Sequence, residues 1–190
     1  MRPSLVLALI LFFAINAAAQ APKPSPSPEE ATKLEKFQSR TGTVVIKNFS
    51  RIGSLRGIGG SLNVQSMDFT DAQSGATVQG MMVEIKESGR LERSERSFID
   101  SDEIDGLLKG IDYIAKVQSP TTKQDFFEAR YRTRSDFGVT TFNSSDASEG
   151  IQVAVTIGRF SQVSIYLKLT ELSTFRELIL MAKGKLEPAK

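Results

Sequence analysis

Residues 100 to 117, DSDEIDGLLKGIDYIAKV, constrain the fold of this chain more than any other stretch. Ile104, Leu107, Leu108, Ile111, Ile114 and Ala115 recur at helical spacing and make one apolar stripe. A helix with one oily face needs a surface to bury it on, and the preceding segments, which alternate as strands do, supply that surface. Val44 and Ile46 point one way along the first of them, and Met67 and Phe69 mark a second from Leu62 to Asp71. Met81, Val83 and Ile85 form one face of a third, Val78 to Lys86, and a fourth is expected from Arg90 to Ile99 after the turn Glu87-Ser88-Gly89. DAQSGA, residues 71 to 76, is a turn by composition. Asp100 and Glu103 have the form of a capping box at the start of the helix. Gly106 and Gly110, close to the stripe, would let the backbone approach a sheet, at a propensity cost of about 1 kcal/mol each relative to Ala.

The pattern then recurs. Strands are expected at Asp125 to Arg134, Phe137 to Asn143, Ile151 to Gly158 and Val163 to Leu169. A second helix follows from Glu171 to Lys183, with Leu172, Phe175, Leu178, Ile179 and Ala182 on its buried face and Gly184 as its stop. Short connections make each quartet an antiparallel meander. The expectation is therefore an α+β domain over residues 41–186, built from two β-β-β-β-α units whose sheets are each packed by one helix.

Ahead of this domain, MRPSLVLALILFFAINAAAQA has a basic start, an apolar run from Leu5 to Ile15 and small residues at 17 to 19. This is the form of a secretory signal peptide over residues 1–19, and the run is shorter than the about 20 residues of a membrane-spanning helix. A secreted or periplasmic protein without a transmembrane anchor is expected. Residues 20–40 read as a Pro/Ser-rich tether, QAPKPSPSPEE, running into a short helix that carries Ala31, Leu34 and Phe37.

The chain contains neither Cys nor His. Thiolate metal sites, disulfides, thiol nucleophiles and histidine-based triads are excluded together, and no metal or cofactor is expected. Without residues 1–19, which hold one Arg and no acid, 23 basic residues face 22 acidic ones, so any electrostatic function must be local.

Three stretches invite a functional reading. RIGSLRGIGGSL, residues 51 to 62, has the glycines of a phosphate loop but neither the lysine of a Walker loop nor the third glycine of a dinucleotide fingerprint. It is expected to be a glycine-rich connection or bulge between the first two strands, with Arg51 and Arg56 as anion-binding candidates. FIDSDEIDG has acids like a calcium loop, yet counting from Asp100 puts Ile104 at position 5 and Ile111 at position 12, where oxygen ligands belong. EARYRTRSD places Arg130, Arg132 and Arg134 on one strand face, where they could grip phosphates or sulfates or simply pair with neighbouring acids.

The twofold order of four strands and a helix, over residues 42 to 184, resembles the architecture of Whirly-type single-stranded nucleic-acid-binding proteins. That resemblance rests on element order and implies strand binding along sheet surfaces and between assembled subunits, a role suited to Arg130, Arg132 and Arg134. No catalytic residue stands out. A paired-carboxylate hydrolase of envelope glycans is the enzymatic alternative, though the chain has no Trp and only three Tyr as sugar platforms. The leading expectation is a non-catalytic binding or assembly module of unknown ligand, with exposed strand edges or the Phe-rich strands from Asp125 to Asn143 as the contacts if subunits assemble; binding of an anionic polymer by the arginine face is the alternative.

Overall fold

The computed structural model describes residues 31–89, 92–117, 124–143, 150–159 and 161–186. The stretch expected to be a signal peptide and the expected tether as far as residue 30 lie outside the described residues. The elements in order are α1 (Lys33–Gln38), β1 (Val45–Gly57), β2 (Gly60–Asp71), β3 (Thr77–Glu87), β4 (Arg93–Asp100), α2 (Ile104–Ile114), β5 (Glu128–Arg132), β6 (Phe137–Asn143), β7 (Ile151–Ile157), β8 (Val163–Lys168) and α3 (Glu171–Leu186). Two antiparallel meanders result, ordered β1-β2-β3-β4 and β5-β6-β7-β8. The α+β class and both quartets agree with the periodicity of the sequence.

Each sheet is packed by one helix, and the assignment is crossed. α2, which follows the first sheet, lies on β5 and β6, whereas α3, which follows the second, lies on β1, β2 and β3. The helices run antiparallel to each other, because Arg176 holds Asp112 through two hydrogen bonds (2.6 and 2.9 Å) while Lys183, about two turns further on, reaches back to Asp105 (2.9 Å). Inward residues of both sheets, Val64, Val83 and Ile85 on one and Val139, Val155 and Ile165 on the other, join Leu107, Ile111, Phe175 and Ile179 in one core. Phe137 and Phe175 meet there with ring centroids 5.9 Å apart. Ile58, in the turn after β1, pairs with Tyr166 of β8 by backbone hydrogen bonds in both directions (2.8 and 2.9 Å), tying the sheets together at one corner.

α1 belongs to the folded body. Leu34 and Phe37 are buried against Met67, Phe69 and Met82 on the opposite, outer face of the first sheet. Thr32 and Glu35 form a complete capping box at its start. Asp100 fixes the same end from the sheet, accepting from the backbone N–H groups of Lys33 (2.7 Å) and Leu34 (3.0 Å).

That contact corrects the expected capping box of α2. Glu103 does reach back to the Asp100 N–H (3.4 Å), but the Asp100 carboxylate caps α1, and no side chain caps α2. Asp100 ends β4 with its side chain on the face that receives α1, so sheet geometry overrides the local motif. Several boundaries also differ, among them the start of β5, at Glu128 instead of Asp125. α3 continues through Gly184 to Leu186, and β5 ends at Arg132 instead of Arg134.

The glycine-rich stretch is mostly strand. β1 extends to Gly57 with a bulge between Arg51 and Gly53, so the connection to β2 shrinks to Ile58 and Gly59. Close approach explains the glycine at 53, where an added Cβ would sit 2.6 Å from Leu178 Cδ2 of α3. Gly59, at φ 87°, makes the turn itself.

Candidate functional site

Strand register brings together a polar surface on the outer face of the first sheet. Beyond the rows that α1 covers, Ser54, Asn63, Glu84 and Arg96 form one row across the four strands, and Arg56, Ser61, Lys86 and Ser94 form the next. A groove of about 420 Å³ opens here, with Arg51, Ser54, Asn63, Gln65, Glu84 and Lys86 in its lining.

Glu84 is the groove's one carboxylate and is 5% exposed. It accepts from Arg96 Nε (2.9 Å), Ser94 Oγ (3.3 Å) and Asn63 Nδ2 (3.4 Å), and Lys86 Nζ stands 3.5 Å away. Burial pushes its carboxyl up, but the hydrogen bond and charge of Arg96, aided by Lys86, outweigh burial and hold it below the usual carboxylate range. Glu84 therefore stays ionised and satisfies two of the surrounding cations.

Arg51 and Arg56 have no such partner. Among the described residues neither makes an ion pair or hydrogen bond through its side chain. Lys47, Phe49 and Arg51 occupy alternate positions of β1 on this same outer face. Phe49 is 60% exposed, and Lys47 leans inward, its Nζ 5.4 Å from the Phe69 ring centroid. Arg51, Arg56, Lys86 and Arg96 thus share the open part of the sheet with a single carboxylate, and Lys47 extends the cationic edge of β1 beside α1.

The three arginines of EARYRTRSD do not stay together. Arg130 and Arg132 share the outer face of the second sheet, in rows with Thr140 and Tyr166 and with Gly138 and Ser164 respectively. Arg132 is ion-paired with Asp136, which also stands 3.5 Å from Arg159. Arg130 has no partner among the described residues, and Tyr166 on the same row meets Phe142 edge-on at 6.3 Å. Arg134 lies beyond the strand, in a turn completed by Asp136 at φ 55°. Its backbone N–H bonds Glu103 (2.9 Å), and its guanidinium bonds Asp102 (3.0 Å) and Asp100 (3.3 Å). Burial lowers its pKa, and Glu103, Asp102 and Asp100 together raise it further than burial lowers it. Arg134 clamps the β5–β6 turn to the acidic corner that also receives α1.

Sequence reasoning named Arg51 and Arg56 but missed Phe49, Asn63, Gln65, Glu84 and Lys86. The alternation of Lys47, Phe49 and Arg51 was a visible signal for the β1 edge. Nothing in the sequence paired Glu84 with Asn63 on one side and Arg96 on the other, since that needs the register of three strands. Comparison of the chain with models of protein families, with curated proteins and with solved structures gave no match, so the Whirly-like element order carries no functional argument.

Proposed function

We propose that the protein is an exported, non-catalytic binding module that holds an anionic polymer on the outer face of its first sheet. The observation that carries this reading is the local charge imbalance: in a chain of nearly balanced charge, Arg51, Arg56, Lys86 and Arg96 share the rows around the one groove carboxylate, Glu84, and Arg51 and Arg56 have no acid partner among the described residues. Arginines with free donor edges suit phosphate, sulfate or carboxylate groups, and exposed Phe49 between Lys47 and Arg51 offers a flat apolar contact to a base or sugar ring. The hydrolase alternative gains no comparable support. A general acid at neutral pH needs a raised pKa, whereas each described carboxyl with a displaced pKa, on Asp71, Glu84, Asp102, Asp105 and Asp112, is displaced downward.

Retention on heparin and on single-stranded oligothymidylate, measured against salt, tests the proposal. Replacing Arg51 and Arg56 together by Ser is expected to lower the slope of log K against log salt by about 1.4, from two contacts of about 0.7 each. Replacing Arg130 and Arg132 is expected to leave it unchanged. An unaltered elution after the first double substitution, in protein of unchanged circular dichroism, removes the proposal, and a loss confined to the second moves the site to the other sheet.

A further inference from the structure

The four sheet edges are not protected alike. β8 is engaged at Tyr166 by Ile58 and at the Ser164 N–H by Glu87, β5 is only five residues long and three of them are charged, and β4 carries Arg93, Glu95 and Arg96. β1 is 13 residues long, Ile46 (47%) and Phe49 (60%) are exposed along its first half, and Val44 (64%) is exposed just before it. The Ala72 N–H bonds the Val44 carbonyl (3.0 Å), so the even-numbered residues of this half turn their backbone groups towards β2. Val45, Lys47 and Phe49 turn theirs to the free edge. The one lysine on that edge, which would ordinarily discourage strand pairing, leans over the Phe69 ring of its own sheet.

We propose that the protein self-associates through this edge, β1 pairing antiparallel with β1 of a second copy about a twofold axis at Asn48. The register follows from charge and from which backbone groups are free. An axis at Lys47 sets the two Lys47 side chains opposite each other, and an axis at Phe49 sets Lys47 opposite the partner's Arg51; both juxtapose like charges. An axis at Asn48 pairs Lys47 with the partner's Phe49 and Val45 with the partner's Arg51, cation against ring or aliphatic side chain throughout. It uses the outward groups of Val45, Lys47, Phe49 and Arg51 on each chain and joins the two sheets into one of eight strands. In this register a second copy is complementary to the strand in charge and in free backbone groups. The outer faces then lie side by side, with the Arg51 and Arg56 of both copies on one surface, although the pairing itself does not depend on the anion-binding reading.

The test is carried out without polyanion, so that its failure is separate from failure of that reading. Sedimentation of the purified protein at about 100 µM is expected to show a dimer, and a monomer at that concentration overturns the proposal. Lys47→Pro removes one outward N–H and leaves the β2 ladder intact, so it should give a monomer. Phe49→Lys, an exposed change that tolerates failure of the proline variant to fold, puts Lys opposite Lys47 and should also give a monomer, whereas Phe49→Glu should remain dimeric. Persistence of the dimer in Phe49→Lys overturns the register. The cysteine-free background permits a direct check. Asn48→Cys, at the axis, should form a covalent dimer on oxidation with diamide, while Ala76→Cys in the β2–β3 turn should not; equal cross-linking of the two overturns the arrangement.

Discussion

Replacing Gly110 by Ala probes the crossed helix packing. In an exposed helix interior that substitution stabilises by about 1 kcal/mol, because Ala lowers backbone entropy in the unfolded chain. Here an added Cβ would lie 2.6 Å from Cγ of Tyr131 on β5, well inside van der Waals contact. Cγ is the root of the ring and cannot swing aside as a chain end can, so α2 must lift from the second sheet or Tyr131 must leave its rotamer. Overpacking of this kind costs about 1–3 kcal/mol. The steric term exceeds the propensity gain, and a net loss of about 1 kcal/mol is expected. For a domain of this size that lowers Tm by roughly 2–4 °C. Urea and thermal denaturation followed by circular dichroism measure it, and a double-mutant cycle isolates the cause. In a Tyr131→Ala background the same Gly110→Ala change should stabilise, with a coupling of about 2 kcal/mol. If Gly110→Ala stabilises the otherwise unaltered protein, α2 does not lie on β5 and the crossed arrangement is refuted.

Further expectations concern charge and caps. Glu84→Gln keeps the shape of the groove but releases Arg96 and Lys86, so retention on heparin should rise and elution should need more salt. Asp71, held to about 2 by the backbone N–H groups of Ser74 and Gln73, should contribute stability present above about pH 4 and lost as pH falls towards 2. Asp71→Asn should flatten the stability profile within that window, read by urea midpoints at successive pH values. Asp100→Ala removes two N–H contacts from the start of α1 and should cost about 1–2 kcal/mol, with faster proteolysis at residues 33 to 40 as its local signature. Leu34→Ala should cost about 2–5 kcal/mol, since Leu34 is fully buried.

Periodicity alone marked eight extended segments and the two long helices, because the stripe of Leu107 and Ile111 and that of Leu178 and Ile179 repeat at 3.6 residues while Met81, Val83 and Ile85 repeat at two. Boundaries were less legible where glycine was read as punctuation. Gly53 and Gly57 sit in β1 because neighbouring elements press against them, and α3 passes through Gly184 to Leu186. The arginine row of EARYRTRSD broke at Arg134 because the acids of residues 100 to 103, some thirty positions away, draw that side chain out of the strand.

What the sequence by itself determined was therefore class and order: an α+β chain of two quartets and two amphipathic helices, with no thiol or imidazole chemistry. Such features are set by spacing along the chain, which is present in the residues themselves. Tertiary structure alone decided which sheet each helix covers, that Asp100 caps α1 and not its own helix, and that Glu84, Asn63 and Arg96 meet beside Arg51 and Arg56. These depend on register and on packing between segments far apart in the chain, and an apolar stripe is satisfied equally by either sheet until both sheets and both helices close around one core.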